Sequence, residues 1–215
     1  MIYKNISLAD QVFEDLEKKI LNGSYARGQQ ISEKKLSEEL GVSRTPIREA
    51  MSRLLEEDLI EETFSGTVVV GMTDEDMKDI YEVKRRLEAY CMGRAAENIT
   101  DEEIAELKEI IEEQEYFAQK HDLDKVRDLD TRFHDAIYRA SGSRVLNNLL
   151  NKIHHKVMRY RRASLESNAG RLKDSVAEHR AIFDAIAAHD KDAAEQALVT
   201  HVEHAFDSVL KTTEH

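Results

Sequence analysis

Residues 36–50 read Leu36-Ser37-Glu38-Glu39-Leu40-Gly41-Val42-Ser43-Arg44-Thr45-Pro46-Ile47-Arg48-Glu49-Ala50, and the turn they encode decides the fold of the first third of the chain. Leu36 and Leu40 lie four apart, so they share one face of a short helix that Ser32 is placed to cap. Gly41 closes that helix because glycine takes the left-handed conformation without a Cβ clash. Val42 then plugs the angle between two helices. Ser43 opens the next helix, and Pro46 fits its first turn, where an N–H would have no intrahelical partner. Ile47, Ala50, Met51, Leu54 and Leu55 continue as an apolar stripe at helical spacing.

Working outward, Val12, Phe13, Leu16 and Ile20 give residues 8–21 one apolar helical face, which Asn22-Gly23 ends. Downstream, residues 59–63 and 67–70 read as two strands around the turn Phe64-Ser65-Gly66, the second rich in β-branched valines. Helix, helix, turn, helix and hairpin is the order of a winged helix-turn-helix. Arg44 and Arg48 stand one turn apart at the start of its second helix, the end that enters a major groove. A paired arginine fork on guanine is the commonest specific base contact. Ser43, Thr45 and the positive helix N-terminus suit phosphate oxygens.

Bulk charge does not advertise this role. The 215 residues carry 31 Lys+Arg and 43 Asp+Glu, a formal net charge of −12. Residues 1–72 hold 9 Lys+Arg against 13 Asp+Glu, a balance of −4. DNA binding therefore has to rest on where the charges sit, and weak non-specific binding with a need for dimerisation follows. One proline and eight glycines favour long helices. No apolar run is long enough to span a bilayer and no signal-peptide core follows Met1, so a cytoplasmic protein with no membrane partner is expected. The single cysteine, Cys91, excludes an intrachain disulfide and suits a reducing compartment.

The 36–60 segment resembles the helix-turn-helix of the GntR family of bacterial regulators. The resemblance implies operator DNA as partner. It adds Lys34, where relatives carry a basic DNA-contacting residue, and Gly66, which resembles the wing-tip glycine that approaches the minor groove.

Composition changes near residue 71. A first domain over 1–72 and a second, all-helical domain over 73–215 are expected. The second reads as six helices over about 74–97, 101–120, 123–141, 144–166, 171–188 and 191–212, with breaks including Asn168-Ala169-Gly170. Connections this short predict an antiparallel bundle. The expected fold class is mainly α. The stripes in 74–97 and 144–166 serve a core, a dimer contact or both.

Nine histidines stand out. Asp130 and His134 are four apart on one helix face, and His179 and His201 sit on later helices. Read from spacing alone, these are either a first shell for a borderline cation or ordinary surface and capping histidines. His204 is the substitute if His201 is the wrong choice. His154 and His155 read as solvated or partly buried, with one of them able to line a pocket. His121, His189 and His215 fall at helix ends or the terminus.

Residues 76–212 resemble the FCD ligand-binding domain of the FadR branch of the family. The markers are Asp130-x-x-x-Phe133-His134, Glu178-His179-x-x-Ile182 and the late helical His201. Six helices resemble the VanR-like subgroup. The resemblance implies that Asp130, His134, His179 and His201 ligate a divalent metal, zinc foremost, with nickel, manganese or iron as alternatives. It further implies a homodimer and a small organic-acid effector drawn to the cation. Lys84, Arg132 and Arg159 are the candidate basic contacts for that acid. Lys84 stands where many relatives carry arginine, which replaces a fork with a point charge. Two other readings compete: a metal-dependent enzyme acting on small carboxylates, and a regulator whose metal is purely structural. Neither signals a catalytic residue.

Overall fold

Side-chain caps start most of the helices. Ser7 and Asp10 form a reciprocal capping box ahead of α1 (Leu8–Leu21). Ser32 accepts from the Lys35 amide at the head of α2 (Glu33–Leu40), and Gly41 ends that helix at φ 67°. Ser43 is extended before α3 (Arg44–Glu56), but its hydroxyl makes no cap bond and is left exposed. The computed structural model describes residues 7–164 and 169–213, in two compact units that meet at Asp74/Glu75.

In the first unit α1 and α2 pack on α3, burying Val12, Phe13, Leu16, Leu36, Ile47, Ala50 and Leu54 in one cluster. Val42 is partly buried against it. The sheet differs from the expected hairpin. It has three antiparallel strands in the order β1-β3-β2: β1 (Gln30–Ile31), β2 (Ile60–Thr63) and β3 (Gly66–Val69). The extra strand is two residues long, so alternation could not reveal it. It exists because β3 offers its free edge to Gln30 and Ile31.

The second unit consists of α4 (Asp74–Asn98), α5 (Asp101–Gln119), α6 (Leu123–Ala140), α7 (Arg144–Ser164), α8 (Ala169–Ala187) and α9 (Lys191–Thr213). A Thr100/Glu103 capping box starts α5, and Asp122 caps α6. Helix α8 opens at Ala169, inside the expected break; Asn168 lies outside the described residues, as does His215. Helix α5 packs on α6 and α8, α7 on α6, and α9 on α8. The buried stripe of α6 includes Val126, Leu129, Phe133 and Ile137, and two polar residues, Asp130 and His134, lie within it. Among the described residues no helix is long and apolar enough to cross a membrane.

Candidate functional site

Two sites emerge, one in each unit. In the first, Lys34, Ser43, Arg44, Thr45, Arg48 and Gly66 are all exposed. Arg48 reaches back to α2 and donates through Nε and Nη2 to both oxygens of Glu33, at 2.8 and 2.9 Å. A groove of about 760 Å³ runs between the start of α2, α3 and the β2–β3 turn, lined by Ser32, Lys35, Arg48, Ser52 and Gly66 among others. Gly66 needs its positive φ of 119°, and nothing lies within 4 Å of where a Cβ would be. Phe64 beside it is fully exposed.

In the second unit the polar residues are buried. His134, His179 and His201 are 1%, 0% and 7% exposed, although they come from α6, α8 and α9. One ligand nitrogen from each lies within 4.8 Å of the others. The Nδ1 of every ring is occupied on its outer side. That of His179 donates to Gln114 Oε1 at 2.9 Å, and Gln114 is fixed in turn by donating to the Val126 carbonyl. That of His201 meets Glu178 Oε2 at 2.7 Å, and Arg171 grips the same carboxylate through both terminal nitrogens. That of His134 lies 3.4 Å from the Tyr138 hydroxyl, whose proton goes to Glu88. With Nδ1 tied down, the acceptor lone pair of each neutral ring is on Nε2, the atom left for an ion.

Asp130 is 5% exposed and stands beside this triad, with Oδ1 3.6 Å from His179 Nε2. Its Oδ2 is 3.3 Å from Nε2 of His154. His154 is itself only 4% exposed, and its ring centre is 4.4 Å from that of His134. The expectation of a solvated or partly buried His154 is therefore corrected: Leu150, His154 and Val157 form one buried stripe of α7. His155 is half-buried beside Asp135. His204 is exposed and bonded to Glu178, away from the triad.

Burial penalises the imidazolium form, holding His179 down at about 3 and His134 well below its ordinary range. Both rings are neutral near pH 7, the form that ligates. Burial also opposes ionisation of Asp130, but the imidazoles of His154, His179 and His134 outweigh it and hold the carboxyl well below its usual range. Glu178 is likewise resisted by burial but held down at about 2 by His201 and Arg171.

Lys84 is buried and joins the site through Glu88, its Nζ donating to Oε1 at 2.7 Å. Arg132 does not join. Two residues past Asp130, it projects from the other side of α6 to solvent and pairs with Glu113. Arg159 is half-buried on α7, and the cavity beside the histidines is lined by Arg161 instead, with Tyr81, Lys84 and Met158. Free space there is only about 20 Å³, roughly room for one water. Gln114, Glu178 and Glu88 went unnoticed in the sequence as site residues. Gln114 had a signal, since it continues the stripe of Leu107, Ile110 and Ile111 as its one polar member.

Comparison with known proteins agrees with this division. Residues 8–69 match the model for bacterial regulatory proteins of the gntR family, and residues 79–204 match the FCD domain. The chain is 32% identical to the uncharacterised HTH-type regulator YdhC of Bacillus subtilis, over 90% of this chain and 87% of that protein. It is 30% identical to the gluconate operon transcriptional repressor of Bacillus licheniformis, over 83% and 75% respectively. The structure of McbR/YncC from E. coli superposes with a TM-score of 0.70, covering 98% of this chain and all of that one at 24% identity, a likeness of fold.

Proposed function

The chain belongs to the gntR family of bacterial regulatory proteins, with an FCD domain following its DNA-binding domain, and on that premise we propose that a small organic acid, bound beside a divalent cation, sets its affinity for operator DNA. The observation that carries the reading is the set of three buried imidazoles whose Nδ1 atoms are each anchored outward. A buried polar cluster built only for stability would pair both nitrogens of each ring. Here Nε2 of His179 has no hydrogen-bond partner among the described residues.

His134, His179 and His201, with Asp130 alongside, would hold the ion. Mixed nitrogen and oxygen donors suit zinc first, with nickel, manganese and iron as alternatives. Bound there, the cation would supply a positive charge and open positions for a carboxylate. Lys84 and Arg161 are the basic groups on the cavity that would complete recognition of an acid. One relative is named for the gluconate operon, and gluconate is a sugar acid. The tight cavity means that an acid has to push α4, α7 or α9 side chains apart on entry, which would couple occupancy to helix position. Six helices favour the VanR-like subgroup of the FadR branch. A homodimer would set two recognition helices about one DNA turn apart. The relatives are transcriptional regulators, and this chain is one rather than an enzyme.

A gel shift on the DNA upstream of the chain's own gene tests the reading. Arg44→Ala and Arg48→Ala should each weaken specific binding about 10- to 100-fold. Removing divalent cations with a chelator should change the affinity of the wild-type protein. Binding indifferent to both arginines and to the chelator refutes it.

A further inference from the structure

An acid stands on the surface that should attract DNA. Glu33 opens α2, and Arg48 lies in the second turn of α3, 15 residues on. Nε and Nη2 of Arg48 donate to the two oxygens of Glu33 at 2.8 and 2.9 Å. A guanidinium holds five N–H donors in one plane, so this contact takes up only its Nε–Nη2 edge. Both N–H groups of Nη1 and one of Nη2 are left over, and they form a second fork at the tip. The Arg48 side chain is 69% exposed, and both residues line the groove between α2, α3 and the β2–β3 turn.

The tip fork is the edge that matches O6 and N7 of guanine. A freely rotating arginine loses rotamer freedom when it docks on a base, and one already held in plane loses less. Glu33 is fit to hold it, since its bonds to Arg48 pull the carboxyl below its ordinary range and keep it ionised. The same carboxylate repels phosphate, which every DNA sequence carries alike. Arg44, one turn earlier on α3, is exposed and makes no ion pair among the described residues. The two arginines of the reading helix are therefore prepared differently, one held and one loose.

We propose that Glu33 is a positioning residue that sets DNA specificity: it holds the Arg48 guanidinium with its tip fork free for one guanine, and its charge lowers attraction to all other DNA. The proposal rests on reading Arg48 as a side chain that contacts a base. Glu33 touches no base itself and acts through Arg48. The pair stays intact in the complex, because guanine and carboxylate use different edges of the guanidinium.

The test is selection of binding sites from a random duplex pool by full-length protein, followed by competition binding on the selected site and on unrelated DNA. Wild type, Glu33→Ala, Glu33→Gln, Arg48→Ala and the double variant are compared at one salt concentration. Arg48→Ala should relax one base position in each half-site. Glu33→Ala should relax that same position, lowering its guanine preference about 5- to 10-fold, and should bind unrelated DNA more tightly than wild type. Glu33→Gln keeps one acceptor without the charge, so it should show the same gain on unrelated DNA with a smaller loss of preference. The double variant should discriminate no worse than Arg48→Ala. Full guanine preference in Glu33→Ala overturns the proposal, as does an equal weakening on every sequence, which marks a merely structural carboxylate. If Arg48→Ala relaxes no position, or no sequence is selected at all, the base-reading role of Arg48 itself falls.

Discussion

The two units place the same residue types in opposite surroundings. Arg48 and Glu33 form a forked ion pair at the surface of the DNA-binding unit, whereas Lys84 and Glu88 form a single-bonded pair that is 6% and 0% exposed in the helical unit. In the first, water shares the charges, and the groups can exchange a protein partner for a phosphate or a base at small cost. In the second, the charges are committed to one another, and only a ligand that offers equivalent bonds can take their place. Function in the first unit is thus separable from stability, while in the second the two are joined.

The sharpest way to break this contrast is to remove one acid from each pair. Glu88→Ala strands the Lys84 ammonium in the interior and should cost about 3–5 kcal/mol in denaturant unfolding of the helical unit. Glu33→Ala should leave the unfolding midpoint unmoved. Comparable losses in both would erase the distinction.

Acid offers a second probe, applied to metal-free protein. The unfolded chain takes up a proton on His179 near pH 6.5, but the folded chain resists until about 3. Protonation therefore favours unfolding between those values, and stability falls as pH drops through that window, by about 3 kcal/mol at pH 4 from this group. Glu178, held at about 2 against an ordinary 4.5, adds a loss of the same sign below pH 4.5. Melting followed separately for the two units should show the helical one failing first; a flat profile from pH 7 to 4 would contradict the buried, neutral histidines.

Smaller effects should sharpen the contrast. Gln114→Leu and Glu178→Leu remove the acceptors that anchor Nδ1 of His179 and His201, so each should lower zinc affinity about 10- to 100-fold. DNA affinity of the metal-free protein should be unchanged by either. Smaller still, Gly41→Ala puts a Cβ at φ 67° and should cost the first unit about 1 kcal/mol by thermal melting.

The units also differ in how much of them could be read from sequence. Gly41, Val42, Pro46, Arg44 and Arg48 fall within eight residues, so local spacing alone placed them on one turn and one helix face. The three histidines are 45 and 22 residues apart, and spacing could offer them only as candidates until a family resemblance joined them. His154 misled because Lys156 and Arg159 beside it look solvated, although its place between Leu150 and Val157 marks the buried face. Arg132 misled through proximity, since two residues along a helix nearly reverse direction. Strand β1 left no periodic trace because it is two residues long, and its partners lie far along the chain, Gln30 with Val68 at 38 residues and Ile31 with Thr67 at 36.

Anomalous diffraction at the zinc edge, from crystals grown with zinc, tests most directly whether the buried imidazoles bind an ion. A peak about 2.0–2.1 Å from a ring nitrogen of each of His134, His179 and His201 is the predicted result. A cavity with no peak, or zinc found only on surface histidines such as His204, would show that these rings are a polar core and nothing more.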